Sequence, residues 1–296
     1  MKRRARSPFL AILAILVVAS AACSLVFDTD ILVSNQDAGA DTGTSDPIDA
    51  TTPPRSDAPE DAPPNDDAAL VDVITTPPEA PFFIDDFARP NSPEVGNGWT
   101  EKNSVAFVLD TQSALKQQST TRYRDNLVYR PEISELDVEV AGTFKVIAAP
   151  PGSPQVHARI TPGTVAPLDA LDSYLVYVED GSSTRVSLAR QRGGGYSTRL
   201  GDPTNTGQTF VLSEPIAAGA TYRLRLRVQG AGATIYVACA FDKLVAAPGT
   251  FATLGQAAVS EKSDERLTTP GHVGFSGDQS SDKRFAYVRF EASRVK

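Results

Sequence analysis

The chain has 296 residues, 41% of them hydrophobic, with 28 Lys and Arg against 36 Asp and Glu and a formal net charge of −8. The acidic excess sits in one stretch: Ser24 to Pro81 holds 13 acidic residues and one base, Arg55, whereas Phe82 to Lys296 balances 23 acids against 23 bases. A neutral domain lacks the basic excess of a nucleic-acid or membrane footprint, and two cysteines exclude a disulfide-built scaffold.

Residues 1–22 read as a targeting segment. Lys2, Arg3, Arg4 and Arg6 precede a short apolar run from Phe9 to Val18 and then the small residues Ala19 to Ala22. The run falls short of the roughly 20 apolar residues that span a bilayer, which fits an export signal. Ser20-Ala21-Ala22-Cys23 resembles the lipobox of bacterial lipoproteins, with Ser20 where that family usually carries leucine. The resemblance implies cleavage before Cys23, acylation of its thiol and a membrane anchor. Ser24 after the cysteine implies an outer-membrane or cell-surface address. The alternative is cleavage near Ala21 and a soluble secreted protein.

Residues 23–81 form the expected anchor and tether. Asp, Ala, Pro and Thr dominate, with Pro53-Pro54, Pro63-Pro64 and Pro77-Pro78 pairs. Such a stretch buries too little apolar surface to offset the entropy of ordering. A flexible coil of roughly 50 residues holds its cargo about 40 Å from the anchor. No D-x-D-x-D-G spacing appears in it, so the acids are not read as a calcium loop.

From residue 82 onward the chain reads as strands. Candidates are Phe82 to Phe87, Val105 to Leu109, Leu127 to Tyr129, Leu136 to Ile147, Val156 to Ile160, Tyr174 to Val178, Arg185 to Arg190, Tyr196 to Leu200 and Phe210 to Leu212. Gly, Pro, Ser, Asp and Thr fill the intervals. The clearest signal is Thr221 to Asp242. Tyr222, Leu224, Leu226 and Val228 share one face of a strand, and Arg223, Arg225 and Arg227 share the other. Gly230 and Gly232 are expected to turn the chain with positive φ, and Ile235, Val237, Cys239 and Phe241 then line one face of the return strand. Pro248 to Ala258 reads as a short turn. His272 to Gly277 and Phe285 to Phe290 close the chain. Leu175 to Val178 is apolar on both faces and is expected to be a central strand. Helical periodicity is nearly absent, so the expectation is all-β: two packed antiparallel sheets.

The opening IDDFARPNS…GNGW, the strand YLVYVED, the hairpin TYRLRLRVQGAGATIY, GHVGFSG and FAYVRFE are similar, in that order, to concanavalin A-like (laminin G-like) jelly-roll domains of bacterial surface proteins. The resemblance implies a β-sandwich over residues 82–296 with a concave face. Family members bind glycans or proteins, cleave glycans or act as spacers, so the fold does not select among these.

Glu135-Leu136-Asp137-Val138-Glu139 resembles the E-x-D-x-E signature of jelly-roll glycan hydrolases. There the first Glu is the nucleophile and the last the general acid/base, a chemistry that needs carboxyls about 5 Å apart. On one regular strand the Cα atoms of Glu135 and Glu139 would stand about 13 Å apart. The simpler reading is the solvated face of an alternating strand, with Leu136, Val138 and Val140 toward the core. Trp99 is the only tryptophan, so a row of sugar-stacking indoles is lacking. Arg223, Arg225 and Arg227 are candidate ligand-binding residues for an anionic polysaccharide, or a solvated face neutralised by Glu135, Asp137 and Glu139. Asp85 and Asp86 are candidates for a structural calcium ion, as in some laminin G-like domains; no other cofactor is expected. His157 and His272, the only histidines, share no zinc-ligand spacing. Cys239 reads as a buried, unreactive thiol. Tyr174, Tyr177 and Tyr196 fit core filling or sugar stacking. Gly193 to Gly195 reads as a hairpin loop. Taken together these features describe a lipid-anchored, non-catalytic binding or surface module for a glycan or protein, with glycan hydrolysis as the alternative.

Overall fold

The computed structural model describes residues 77–296 apart from 104–105, 117–125, 163–170, 180, 193–197, 201–208, 247–248 and 278–282. The described residues all belong to one compact unit, Pro59–Lys296. The signal segment, Cys23, the tether up to residue 76, Val105, Gly193 to Gly195 and Tyr196 lie outside them.

Among the described residues there is no α-helix, and sixteen strands make two antiparallel sheets. The first sheet runs β14 (Thr250–Glu261), β13 (Ile235–Ala246), β12 (Thr221–Gln229), β6 (Val138–Val146), β16 (Phe285–Arg294), β4 (Ser113–Lys116) and β3 (Phe107–Asp110), with β1 (Phe83–Asp85) on β16. The second runs β10 (Thr198–Arg199), β9 (Arg185–Gln191), β8 (Leu171–Val178), β7 (Pro154–Pro162), β15 (Gly271–Gly277), β5 (Val128–Glu135) and β2 (Thr100–Glu101), with β11 (Thr209–Val211) on β9. The expected all-β jelly-roll sandwich is thus the fold, and β8 is an internal strand.

Period-two alternation builds the core. Tyr222, Leu224, Leu226 and Val228 are buried, beside Val138, Val140 and Phe144 of β6 and Val237, Cys239 and Phe241 of β13. Each such apolar side chain contributes roughly 1.5–3 kcal/mol when fully buried. The second sheet meets them with Val156, Ala158, Val176 and Phe275. A ring cluster of Phe87, Trp99, Phe275 and Phe290 fills one region, Trp99 lying 5.0 Å from Phe275 and 5.2 Å from Phe290. The sheets come so close at Gly142 that a Cβ there would stand 2.6 Å from Val156 Cγ1.

The structure departs from the sequence reading at four places. The expected single strand from Leu136 to Ile147 is a corner. β5 ends at Glu135 in the second sheet, Leu136 and Asp137 turn, and β6 begins at Val138 in the first. Residues 250–261 are a twelve-residue strand and not a turn, because β13 supplies a partner along its length. Ala, Gly, Thr and Gln carry little intrinsic β signal, and the pairing decides. Ser113–Lys116 pairs back on β3 through Thr111 and Gln112, both at positive φ without glycine. Gly230 has φ 99° as expected, but Gly232 lies outside the left-handed region.

Candidate functional site

The candidate site lies on the outward face of the first sheet, where β12 crosses between β13 and β6. Alternation that sends Leu224 and Leu226 inward sends Arg223, Arg225 and Arg227 outward. The pairing register then fixes their neighbours. Arg223 lies opposite Asp242 on β13 and Thr143 on β6, Arg225 opposite Ala240 and Ala141, and Arg227 opposite Ala238 and Glu139. Ala240 in turn lies opposite Gln256 of β14.

Two carboxylates organise the three guanidiniums. Asp242 accepts from Arg223 Nε (3.0 Å), Arg225 Nε (2.8 Å), Arg225 Nη2 (3.2 Å) and Thr253 Oγ1 (2.8 Å). Burial raises its pKa, but the bonds from Arg225 and Thr253 and the charges of Arg225 and Arg223 outweigh that and hold the carboxyl below its ordinary value. Glu139 accepts from Arg227 Nε (2.9 Å) and Nη2 (2.6 Å). The Arg225 side chain stays 28% exposed, and its Nη1 stands 3.9 Å from Glu139 Oε1, beyond hydrogen-bond reach. Burial lowers the Arg225 pKa, but Asp242 and Glu139 outweigh it, so this guanidinium is charged at every ordinary pH. Arg223 stacks over Phe251 at 4.0 Å. A shallow open depression of about 30 Å³ is lined by Glu139, Arg225, Arg227, Ala238, Ala240 and Gln256. The alanines keep its floor low, and the ion pairs fix its polar wall.

The face called solvated in the sequence is therefore half dry: Arg227 is 4% exposed and Asp242 1%. Of the three acids expected to neutralise the arginines, only Glu139 does so. Asp137 Oδ1 accepts from Gly230 N–H (2.7 Å) and lies 3.5 Å from Arg159 Nη2, while Glu135 Oε1 accepts from Arg294 Nη2 (2.9 Å). The corner at Leu136 and Asp137 thus sends each carboxylate of the E-x-D-x-E stretch to a different arginine. Asp242 and Gln256 were missed. Counting back along the hairpin from Val237, Cys239 and Phe241 puts Ala238, Ala240 and Asp242 on the arginine face, a signal present in the sequence.

The other candidates are placed as follows. Asp85 accepts from Phe87 N–H (2.8 Å), Arg89 Nη1 (2.7 Å) and Nη2 (3.1 Å), and Trp99 Nε1 (2.7 Å). Burial alone would raise its pKa, but these partners hold it below the ordinary value. The carboxylate expected to ligate calcium thus pins the entry loop to the aromatic cluster. Asp86 is exposed and caps Ala88 N–H at 3.0 Å. Among the described residues no group of three or more His, Cys, Asp or Glu gathers in metal-ligating geometry. Cys239 is buried, and desolvation pushes its thiol up to about 12. Tyr174 is a core residue whose hydroxyl bonds Glu261 and Leu267 N–H, and Tyr177 is half-buried. His272 Nδ1 lies 2.9 Å from Ile133 O. His157, 2% exposed, faces away from the core of the second sheet, between Ser173 Oγ (3.0 Å) and Ser276 Oγ (2.7 Å). Ser276 donates to Gln155 Oε1 (2.9 Å), and Gln155 Nε2 donates to Ser153 Oγ (3.2 Å). Desolvation lowers the His157 pKa to about 3, so this chain of bonds is neutral.

No family model and no curated protein matches the chain. Solved structures similar to the sandwich include a mutant of the GH43 protein BlXynB from Bacillus licheniformis, at 12% identity and TM-score 0.41, over 72% of this chain. The match covers 39% of that chain's own length. The CBM2 module of the evolved Dit of Lactobacillus casei BL23 phage J-1 is similar at 10% identity and TM-score 0.39, over 73% of this chain and 96% of that one. A protein of unknown function with a galectin-like fold from Bacillus subtilis is similar at 12% identity and TM-score 0.40, over 74% of this chain and 97% of that one.

Proposed function

We propose that the chain is a cell-envelope lipoprotein anchored through Cys23, and that its sandwich is a non-catalytic module binding a glycan in the depression between β12 and β14. The observation that carries the glycan reading is the Arg225 edge: among the described residues Nη1 has no hydrogen-bond partner, and it stands above an alanine floor and beside Gln256. Sugars present paired hydroxyls and an apolar ring face. A guanidinium edge, a carboxylate and an amide held by a rigid frame match the hydroxyls, and the Ala238 and Ala240 floor matches the ring. The three arginines against Glu139 and Asp242 leave one net positive charge, which favours a glycan bearing acidic groups. Calling the module non-catalytic rests on Glu135, Asp137 and Glu139 each being engaged by a separate arginine.

A glycan-array screen of the Pro59–Lys296 unit is expected to return acidic glycans, with signal lost in Arg225→Ala. A blank array sinks the glycan reading. Mass spectrometry of the protein from an expressing bacterium is expected to find diacylglycerol on Cys23, and Cys23→Ser to release the chain from membranes. An unmodified thiol after cleavage near Ala21 would replace the anchor with secretion.

A further inference from the structure

The second feature of the first sheet is its edge. Among the described strands the other sheet edges are short: β3 has four residues, β2 and β10 two each, β1 and β11 three each. β14 has twelve and closes one side of its sheet. From Thr250 to Ser260 it carries no charge and no proline. Long edges offer unpaired backbone N–H and C=O groups to any passing strand, and folded proteins usually blunt them with charge, proline or shortness. None of those devices is present here.

Part of this edge is in use. Ser213 N–H donates to Leu254 O at 3.1 Å. Among the described residues no other backbone group outside β13 bonds to β14. The free part is therefore Gly255–Glu261. Its side chains are small: Ala257, Ala258 and Ser260 let another backbone approach closely, while Gly255 makes room for the Phe210 ring of its own chain. An antiparallel pair of identical strands is two-fold symmetric, so a segment whose single charge, Glu261, is paired with Arg190 of its own chain is a ready partner for itself. The midpoint of the free segment is Ala258, and that fixes the register: Ala258 against Ala258, Ala257 against Val259, Gln256 against Ser260, Gly255 against Glu261.

Directly opposite residues of an antiparallel pair share one face with Cβ atoms about 5 Å apart. In this register Gln256 of one copy stands beside Ser260 of the other on the outward face, once on each side of the two-fold, and the pairing itself is carried by backbone groups.

We propose that Gly255–Glu261 of β14 is a homodimer edge, pairing antiparallel with the same segment of a second copy across a two-fold at Ala258. The two first sheets become one continuous sheet. The two-fold stands perpendicular to it, so both outward faces with their arginine ladders point the same way. The pairing does not depend on what the depression binds.

Sedimentation of the full chain in a mild detergent, over two decades of concentration, tests this. Wild type is expected to show a reversible monomer–dimer equilibrium. Ala258→Lys and Ala258→Glu place like charges against each other at the two-fold, and each is expected to weaken association by roughly tenfold or more. An equimolar mixture of the two restores the dimer, since Lys then meets Glu. Unchanged circular dichroism and melting show that the variants fold. Amide hydrogen exchange of wild type supplies a readout free of any variant: protection of Gly255–Glu261 rises with protein concentration. A wild type that stays monomeric throughout overturns the proposal, and so does a Lys variant that dimerises as tightly as wild type or a flat exchange profile at this segment.

Discussion

The outward faces of the two sheets solve one problem in opposite ways. Both carry polar side chains in strand alternation, and both are largely withdrawn from water. On the first sheet Glu139, Asp242 and three arginines form charged pairs beside an open depression. On the second, Ser173, His157, Ser276, Gln155 and Ser153 form a neutral chain of hydrogen bonds. A neutral chain avoids the several kcal/mol that desolvating each ion costs, and so tolerates full burial. An ionic ladder tolerates it only where every charge has a partner, and at Arg225 that partnering is left incomplete. The incompletely paired edge is where a ligand gains most.

Removing one side of the buried Arg227–Glu139 ion pair is the sharpest way to break this contrast. Arg227→Ala leaves Glu139 desolvated and is expected to cost about 3 kcal/mol or more in urea unfolding, whereas Arg227→Met with Glu139→Leu returns most of it. On the neutral face His157→Ala removes the central link and leaves a cavity and unpaired serine hydroxyls, an expected loss of about 2–3 kcal/mol.

Within the second sheet, two groups on β7 and β2 respond to pH with opposite sign. His157 binds its proton far less readily in the folded chain, with pKa about 3. The unfolded state then holds the extra proton, so its contribution is complete above pH ~6.5 and falls as pH drops toward 3, by up to about 1.4 kcal/mol per unit. His157→Gln is expected to flatten that limb of the stability profile. Glu101 shows the reverse sign. Burial foremost, opposed by its bond from Val95 N–H, raises its pKa to about 7. The folded state holds the extra proton, so this stabilisation is complete in acid and lost as pH rises through about 7. Glu101→Gln is expected to raise stability at pH ~8 by on the order of 1 kcal/mol and to leave it unchanged at pH ~4. Arg225→Ala is the smallest change in stability, about 0.5–1 kcal/mol once solvent screening of its exposed side chain is counted, while binding falls at least tenfold.

What was legible in the sequence follows the strength of the alternation. Thr221 to Phe241 declares itself because leucines and valines interleave with arginines, and Leu175 to Val178 because both faces are apolar. β14 hides because Ala, Gly, Thr and Gln define neither face; β13 imposes the strand upon it. The corner at Leu136 and Asp137 hides for the opposite reason. Alternation runs straight through Glu135 to Glu139, while the hydrogen bonds change sheets, so a stretch that scans as one strand belongs to two. The arginine half of the candidate site could be read directly. Its carboxylate half required the register of β13 and β6, which is a tertiary property. Asp85 scanned as a metal ligand because sequence shows a carboxylate and not the four donors from Phe87, Arg89 and Trp99 that the fold gathers around it.

The most direct measurement is backbone chemical-shift mapping of the Pro59–Lys296 unit during titration with an acidic oligosaccharide. Binding at the ionic face shifts the amides of Arg225, Ala238, Ala240 and Gln256 and leaves the second sheet untouched. Shifts centred on His157, Ser173 and Ser276, or none at saturating sugar, would contradict the account.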